Sequence, residues 1–236
     1  MAALGADVVC LQEVTARTEP LWRAALAEGG LTVFESALGD AHGAGRRRPL
    51  GVVIASRPPL ERQPAPPDVP WPERVLSCRL AEAEVINVHS PIAQAPDLAK
   101  VRTHEAIAAY LAGDAVHPRI LCGDLNTPRR ELPDGDVLTF AHTSSGRLRP
   151  ERGERWEAAE RSLVHDLRQR GWIDAYRALH GYGERSASWT FAQDRGGWRL
   201  DHVLVEGLRP VNSAYAHEWR RSGLSDHSAL VVDLEP

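Results

Sequence analysis

Apolar residues in this chain gather mostly into short runs bounded by turn residues. Residues 6–14 (ADVVCLQEV), 51–56 (GVVIAS), 74–80, 84–89 (EVINVH), 120–122 (ILC), 199–205 (RLDHVLV) and 231–234 have the length and composition of strands. The helical period is clearest at 97–112, where Leu98, Val101, Ile107, Ala108 and Leu111 form a stripe. Asp97 is the expected cap of that helix, and His104 falls on its solvent face. A shorter helix is expected at 18–28, with Leu21, Trp22, Ala25 and Leu26 on one face and Gly29-Gly30 as its stop. Another spans about 157–169 and ends near Gly171, after which Trp172, Ile173, Tyr176 and Leu179 supply packing and residues 186–191 (SASWTF) a strand. Residues 39–48 read as a loop, and Arg46, Arg47 and Arg48 in it as solvated. The prolines of residues 63–72 make an extended loop, and the polar, Arg-rich residues 129–155 a surface insertion without an apolar period. A strand, a helix and a strand follow one another between residues 84 and 122, which is α/β organisation. No repeat or boundary divides the chain, so one domain over residues 1–236 is expected.

Composition adds limits. The chain has 236 residues, long enough to bury a core without covalent staples. No run of eighteen apolar residues suggests a membrane span, and no signal peptide is visible, so a cytoplasmic location is expected. Cys10, Cys78 and Cys122 each sit in an apolar run without metal spacing and read as free thiols. A net charge of -4 argues against tight non-specific binding to nucleic acid. Lys100 is the only lysine, so arginine supplies the positive charge; arginine suits bidentate contact with phosphate, but a GC-rich coding sequence gives the same bias and is the preferred account.

The densest chemistry lies in LCGDLNTP, residues 121–128. Asp124 and Asn126 follow a buried strand, where an acid and an amide can orient a water and donate to an anionic oxygen. A polar turn capping a strand would use the same residues. Four other stretches carry a His or an acid beside an apolar run: LQEV at 11–14, INVHSP at 86–91, RLDHVLV at 199–205 and LSDHSALVV at 224–232. No GxSxG occurs, Ser225 and Ser228 lie too close to His227 for a triad, and no zinc-like His or Cys spacing is present.

Together and in this order the five stretches resemble the endonuclease/exonuclease/phosphatase superfamily, which includes exonuclease III-type enzymes and pancreatic deoxyribonuclease. The resemblance runs from about Ala6 to Leu234. It implies an α/β, deoxyribonuclease I-like fold: two packed, mostly antiparallel sheets flanked by helices in four layers. It implies Mg²⁺-dependent phosphoester hydrolysis, with Mn²⁺ as a substitute ion. Glu13 and Asp226 match metal ligands. Asp124 would orient or deprotonate the attacking water, and Asn126 would donate to a phosphate oxygen. His227 would contact the phosphate with Asp201 fixing its tautomer, and His89 would face the leaving group. Exonuclease III-type abasic-site enzymes usually carry a tyrosine at the position of His89, which brings this chain nearer the deoxyribonuclease and phosphodiesterase branches. Residues 171–201, with GWIDAYR and SASWTF, lean toward the exonuclease III branch. His202 receives no role. The leading substrate is a nucleic-acid phosphodiester, DNA or RNA. A small-molecule or lipid-headgroup phosphodiester and a non-catalytic binding module of the same fold are the alternatives. The resembled family opens with a strand carrying a metal-binding asparagine. No such strand precedes Glu13 here, and Met1 to Leu4 read as the end of a helix, so a late start or a truncation is expected.

Overall fold

The apolar runs become strands and the longest periodic stretch a helix in the computed structural model, which describes residues 5–41, 49–81, 83–113, 118–191 and 195–236. The first third holds β1 (Val8–Val14), α1 (Glu19–Glu28), β2 (Val33–Ser36), β3 (Gly51–Ser56), β4 (Leu60–Arg62), β5 (Val75–Leu80) and β6 (Ala83–His89). Next come α2 (Ala99–Ala112), β7 (Arg119–Asp124), β8 (Arg130–Glu131), β9 (Val137–Leu138), α3 (Gly153–Val164) and α4 (Asp166–Gln169). The last third holds β10 (Ile173–Asp174), α5 (Ala175–His180), β11 (Trp189–Thr190), β12 (Gly197–Trp198), β13 (Asp201–Glu206), β14 (Arg209–Ala216), α6 (His217–Arg221) and β15 (Ala229–Glu235). The chain is α/β with mostly antiparallel sheets, as the motifs implied.

A six-stranded sheet in the order β10-β13-β7-β6-β5-β4 forms the centre. Only β6 and β7 in it run parallel, joined through α2, because a parallel pair needs a long crossover. A three-stranded sheet, β1-β3-β2, packs on one face. Val52, Ile54, Leu76, Cys78, Val85 and Cys122 fill the space between the two sheets. On the other face Ile86, Val88, Leu121 and Leu204 meet Ile107 and Leu111 of α2, Leu163 of α3 and Leu167 of α4. Beyond the smaller sheet, Leu26 of α1 and Leu31 cover Ala55. The layers therefore run helix, sheet, sheet, helix, and β14–β15 make a separate hairpin.

Gly123 shows how closely β6 and β7 approach. Its φ is +118°, and a Cβ there would lie 2.1 Å from the Val88 carbonyl oxygen. Asn87, fully buried, ties the two sheets together. Its Nδ2 donates to Leu11 O at 3.0 Å and Val53 O at 2.9 Å, and its Oδ1 accepts from Gln12 at 2.7 Å. The three thiols are free, in β1, β5 and β7.

Several expectations need correction. His104 is fully buried, because α3 covers the second face of α2 that the stripe left unaccounted for. Asp97 does not cap α2: Asp97 and Leu98 both have positive φ, and Leu98 fills the cap position without a side-chain bond. Leu21 is 67% exposed, and Ile173 and Leu179 also face solvent, while Leu26, Trp172 and Tyr176 carry the packing. Residues 129–155 are not a plain insertion, since they contain β8, β9 and the buried Val137, Thr139 and Ala141. The long third helix begins at Gly153 and breaks at His165, and the strand expected over residues 186–191 is confined to Trp189–Thr190. Residues 1–4 and Arg46 to Arg48 lie outside the described residues. Among the described residues no helix is long and apolar enough to cross a membrane.

Candidate active site

Strand register builds the site. β6 and β7 pair with His89 opposite Asp124, and β7 and β13 pair with Asp124 opposite Asp201. Residues in register across adjacent strands project to the same face. Three strands thus place His89, Asp124 and Asp201 in one row at one edge of the central sheet. His227 joins from the end of the chain through an isolated bridge to Trp189. Its Nδ1 lies 2.7 Å from Asp201 Oδ2. Asp124, Asp201 and His227 each offer a ligand atom within 4.8 Å of the others.

Glu13 enters from the smaller sheet. The β1–β3 register shifts between Leu11 and Val14, and Glu13 takes φ +59° in that irregularity. Its Oε1 lies 3.5 Å from His89 Nε2, which is 3.9 Å from Asp124 Oδ2. Arg74 also approaches His89 Nε2, at 3.4 Å. Asp226 is exposed, one residue before His227, and acts on it through charge.

The Asp124–Asn126 turn is tightly tied. Asp124 Oδ1 accepts from Asn126 N at 2.8 Å, and Oδ2 accepts from Asn126 Nδ2 at 3.0 Å. The same Nδ2 donates to Ser90 O at 2.8 Å. Both amide hydrogens of Asn126 are thus engaged, so in this state its side chain orients Asp124 rather than offering a donor to phosphate. Asn126 itself has φ +52°, a left-handed conformation that asparagine tolerates better than most residues.

Charge around the row is uneven. Burial, then the neighbouring Asp201, pushes the Asp124 carboxyl up to about 7, against the charge of His227. Burial disfavours a charged His227, but the hydrogen bond and charge of Asp201, with Asp124 and Asp226, outweigh it and push the imidazole up to about 9. Burial, Arg74 and His227 hold His89 down at about 3, so its ring is neutral. His89 Nδ1 is buried without a hydrogen-bond partner. The carboxylates of Asp124 and Asp201, with Glu13 beside His89, form an oxygen-rich donor set suited to a hard divalent cation.

Sequence reasoning missed the groups that hold these residues in place. Ser188 Oγ accepts from Leu200 N and Asp201 N, and Ser188 O accepts from Ser228 N, which knots the Asp201 strand to the His227 loop. His202, 1% exposed, bonds Thr127 O through Nε2 at 2.8 Å. A histidine directly after the Asp201 position was the one signal available for it.

Trp189 and Trp198 stack with centroids 5.1 Å apart, beside His227, and Phe191, 41% exposed, meets both rings edge-on. Phe140 packs edge-on against Trp198, and Arg129 lies over the Phe140 ring.

No curated protein matches the sequence. Among solved structures, an AP endonuclease from Archaeoglobus fulgidus superposes with a TM-score of 0.71 at 22% identity, covering 99% of this chain and 91% of that one. A 3′ phosphatase from Neisseria bound to a product DNA hairpin gives 0.60 at 22% identity, covering 98% and 89%. A 3′-5′ exonuclease from Neisseria meningitidis gives 0.59 at 22% identity, covering 98% and 90%. At that identity the likeness speaks for the fold. The sequence pattern of the endonuclease/exonuclease/phosphatase family matches residues 1–227. The chain belongs to that family and is a hydrolase of the metal-dependent nuclease and phosphatase type.

Proposed function

We propose that the chain hydrolyses nucleic-acid phosphodiesters with Mg²⁺, or Mn²⁺ in its place. The observation that carries the nucleic-acid reading is the aromatic ledge of Trp189, Trp198 and Phe191 directly beside His227. Base faces stack on such rings without sequence preference, and each stack contributes about 1–3 kcal/mol. The similar 3′ phosphatase bound to a product DNA hairpin supports the same reading.

Glu13 and Asp226 would hold the cation, which would neutralise phosphate charge. Asp124, oriented by Asn126, takes the proton of the attacking water. The water oxygen bonds to phosphorus as the bond to the leaving oxygen breaks. His227 is charged at neutral pH and held by Asp201, so it donates to a phosphate oxygen as charge builds there. His89 is neutral and meets the leaving oxygen. A second reading, a small-molecule phosphodiester substrate, draws on the net charge of -4.

One panel separates the readings: plasmid, single strand, abasic duplex and p-nitrophenyl phosphate esters, each with Mg²⁺ and with excess EDTA. Nucleic-acid cleavage that EDTA abolishes is the expected result. Full turnover in EDTA overturns the metal requirement, and turnover of the small esters alone overturns the nucleic-acid reading.

A further inference from the structure

Behind the catalytic turn lies a buried ion pair that the hydrolytic chemistry does not use. Lys100, the only lysine of the chain, is 1% exposed. Its Nζ donates to Glu160 Oε1 at 2.6 Å and to Asn126 O at 2.7 Å, 5.1 Å from the centre of the Phe140 ring. Glu160, also 1% exposed, accepts from Trp156 Nε1 at 2.7 Å, Thr127 Oγ1 at 2.9 Å and Phe140 N at 2.7 Å. Four residues along the same face of α2, His104 bonds Ser90 Oγ at 2.8 Å. Ser90 O in turn accepts from Asn126. One helix face therefore grips both loops of the site, the one after His89 and the one after Asp124.

Stability alone does not explain the pair, since a buried ion pair is often replaceable by apolar residues without loss. Burial disfavours the charged Lys100, and Glu160 works against that penalty by charge and hydrogen bond. The Lys100 charge acts on Asp124 from a distance, and its direct contact is the carbonyl of Asn126, a residue held in left-handed backbone. A charged donor on that carbonyl fixes the Asn126–Thr127 peptide plane and so restricts rotation about the Asn126 Cα, which carries the N–H and the side chain that orient Asp124.

We propose that Lys100, with Glu160 as its counter-ion, is the positioning residue of the catalytic turn, holding Asn126 in the conformation that aims the Asp124 carboxylate. The inference rests on the proposed role of Asp124 in hydrolysis, and its test has one arm that needs no activity. The chain contains three asparagines, Asn87, Asn126 and Asn212, so ¹⁵N-asparagine labelling gives three side-chain amide signals. In K100M the Asn126 signal should move while those of Asn87 and Asn212 stay. On whichever substrate of the panel the wild-type protein cleaves, kcat should fall by about ten- to a hundredfold with KM within about twofold, the pattern of a misaimed group rather than of lost binding. K100Q is the second variant should K100M not fold: its amide still serves Glu160, but its shorter chain leaves Asn126 O without the donor, and the same changes are expected. A folded variant with wild-type kcat, or with an unmoved Asn126 signal, overturns the proposal. A wild-type protein inactive on every substrate defeats the functional reading instead, and the asparagine signals still decide the positioning role.

Discussion

Two clusters of acids and bases lie close together in this molecule and behave in opposite ways. In one, Glu131 accepts from Arg177 and Arg199, and Asp174 accepts from Arg199 and from the backbone of Tyr176 and Arg177. Arg199, Arg177 and Asp174 are buried, and the Glu131 side chain is 10% exposed. Two guanidinium groups balance two carboxylates. Burial would raise Glu131, but the charges and hydrogen bonds of Arg199 and Arg177 outweigh it and hold the carboxyl down at about 2. In the other cluster, Asp124, Asp201 and Asp226 share one charged imidazole, His227, and Asp124 is pushed up to about 7. Arg199 and Asp201 are two residues apart in one motif, yet one completes the balanced network and the other the unbalanced site. Residue type does not separate a structural cluster from a reactive one; charge balance does, because an uncompensated buried carboxylate keeps an affinity for protons and cations.

The comparison breaks most plainly on rate. Asp124→Asn and His227→Ala should each lower turnover of the cleaved substrate by about 10²–10⁴-fold while the chain stays folded. Steady-state kinetics beside thermal melts check it, and a wild-type rate in either variant removes that residue from the mechanism.

Arg199→Met should show the converse. Breaking the balanced network leaves Glu131 and Asp174 short of a cation and should cost about 3–5 kcal/mol of stability, read by urea unfolding. A loss within the error of the measurement would mean that the network does not stabilise the fold.

The smallest effect separates the clusters by the sign of their pH dependence. A carboxyl held below its usual range, as in Glu131, contributes stability that is present above 4.5 and lost as pH falls toward 2. Asp124 is held above its ordinary 3.8, so its contribution is full below that value and is lost as pH rises through about 7. In metal-free protein, stability should therefore decline between about pH 4 and 7, by about 2–4 kcal/mol, and Asp124→Asn should flatten that decline. Urea unfolding at several pH values in EDTA decides it, and an equal slope in the two proteins would place the titration elsewhere.

Local order was legible in the sequence. Short apolar runs marked most of the larger strands, and the motifs marked which strands end in an acid or a histidine, because strand alternation and turn chemistry act between covalent neighbours. The order of the five motifs pointed to the family and its fold. Tertiary structure alone decided what lies side by side. The register that aligns His89, Asp124 and Asp201 is a property of three strands together. Lys100 meets Glu160 across 60 positions and His202 meets Thr127 across 75, so neither contact leaves a local pattern. His104 has the same neighbours in sequence whether α3 covers it or water does. Burial and charge balance arise when distant segments exclude solvent together, and those two quantities set Asp124 apart from Asp174.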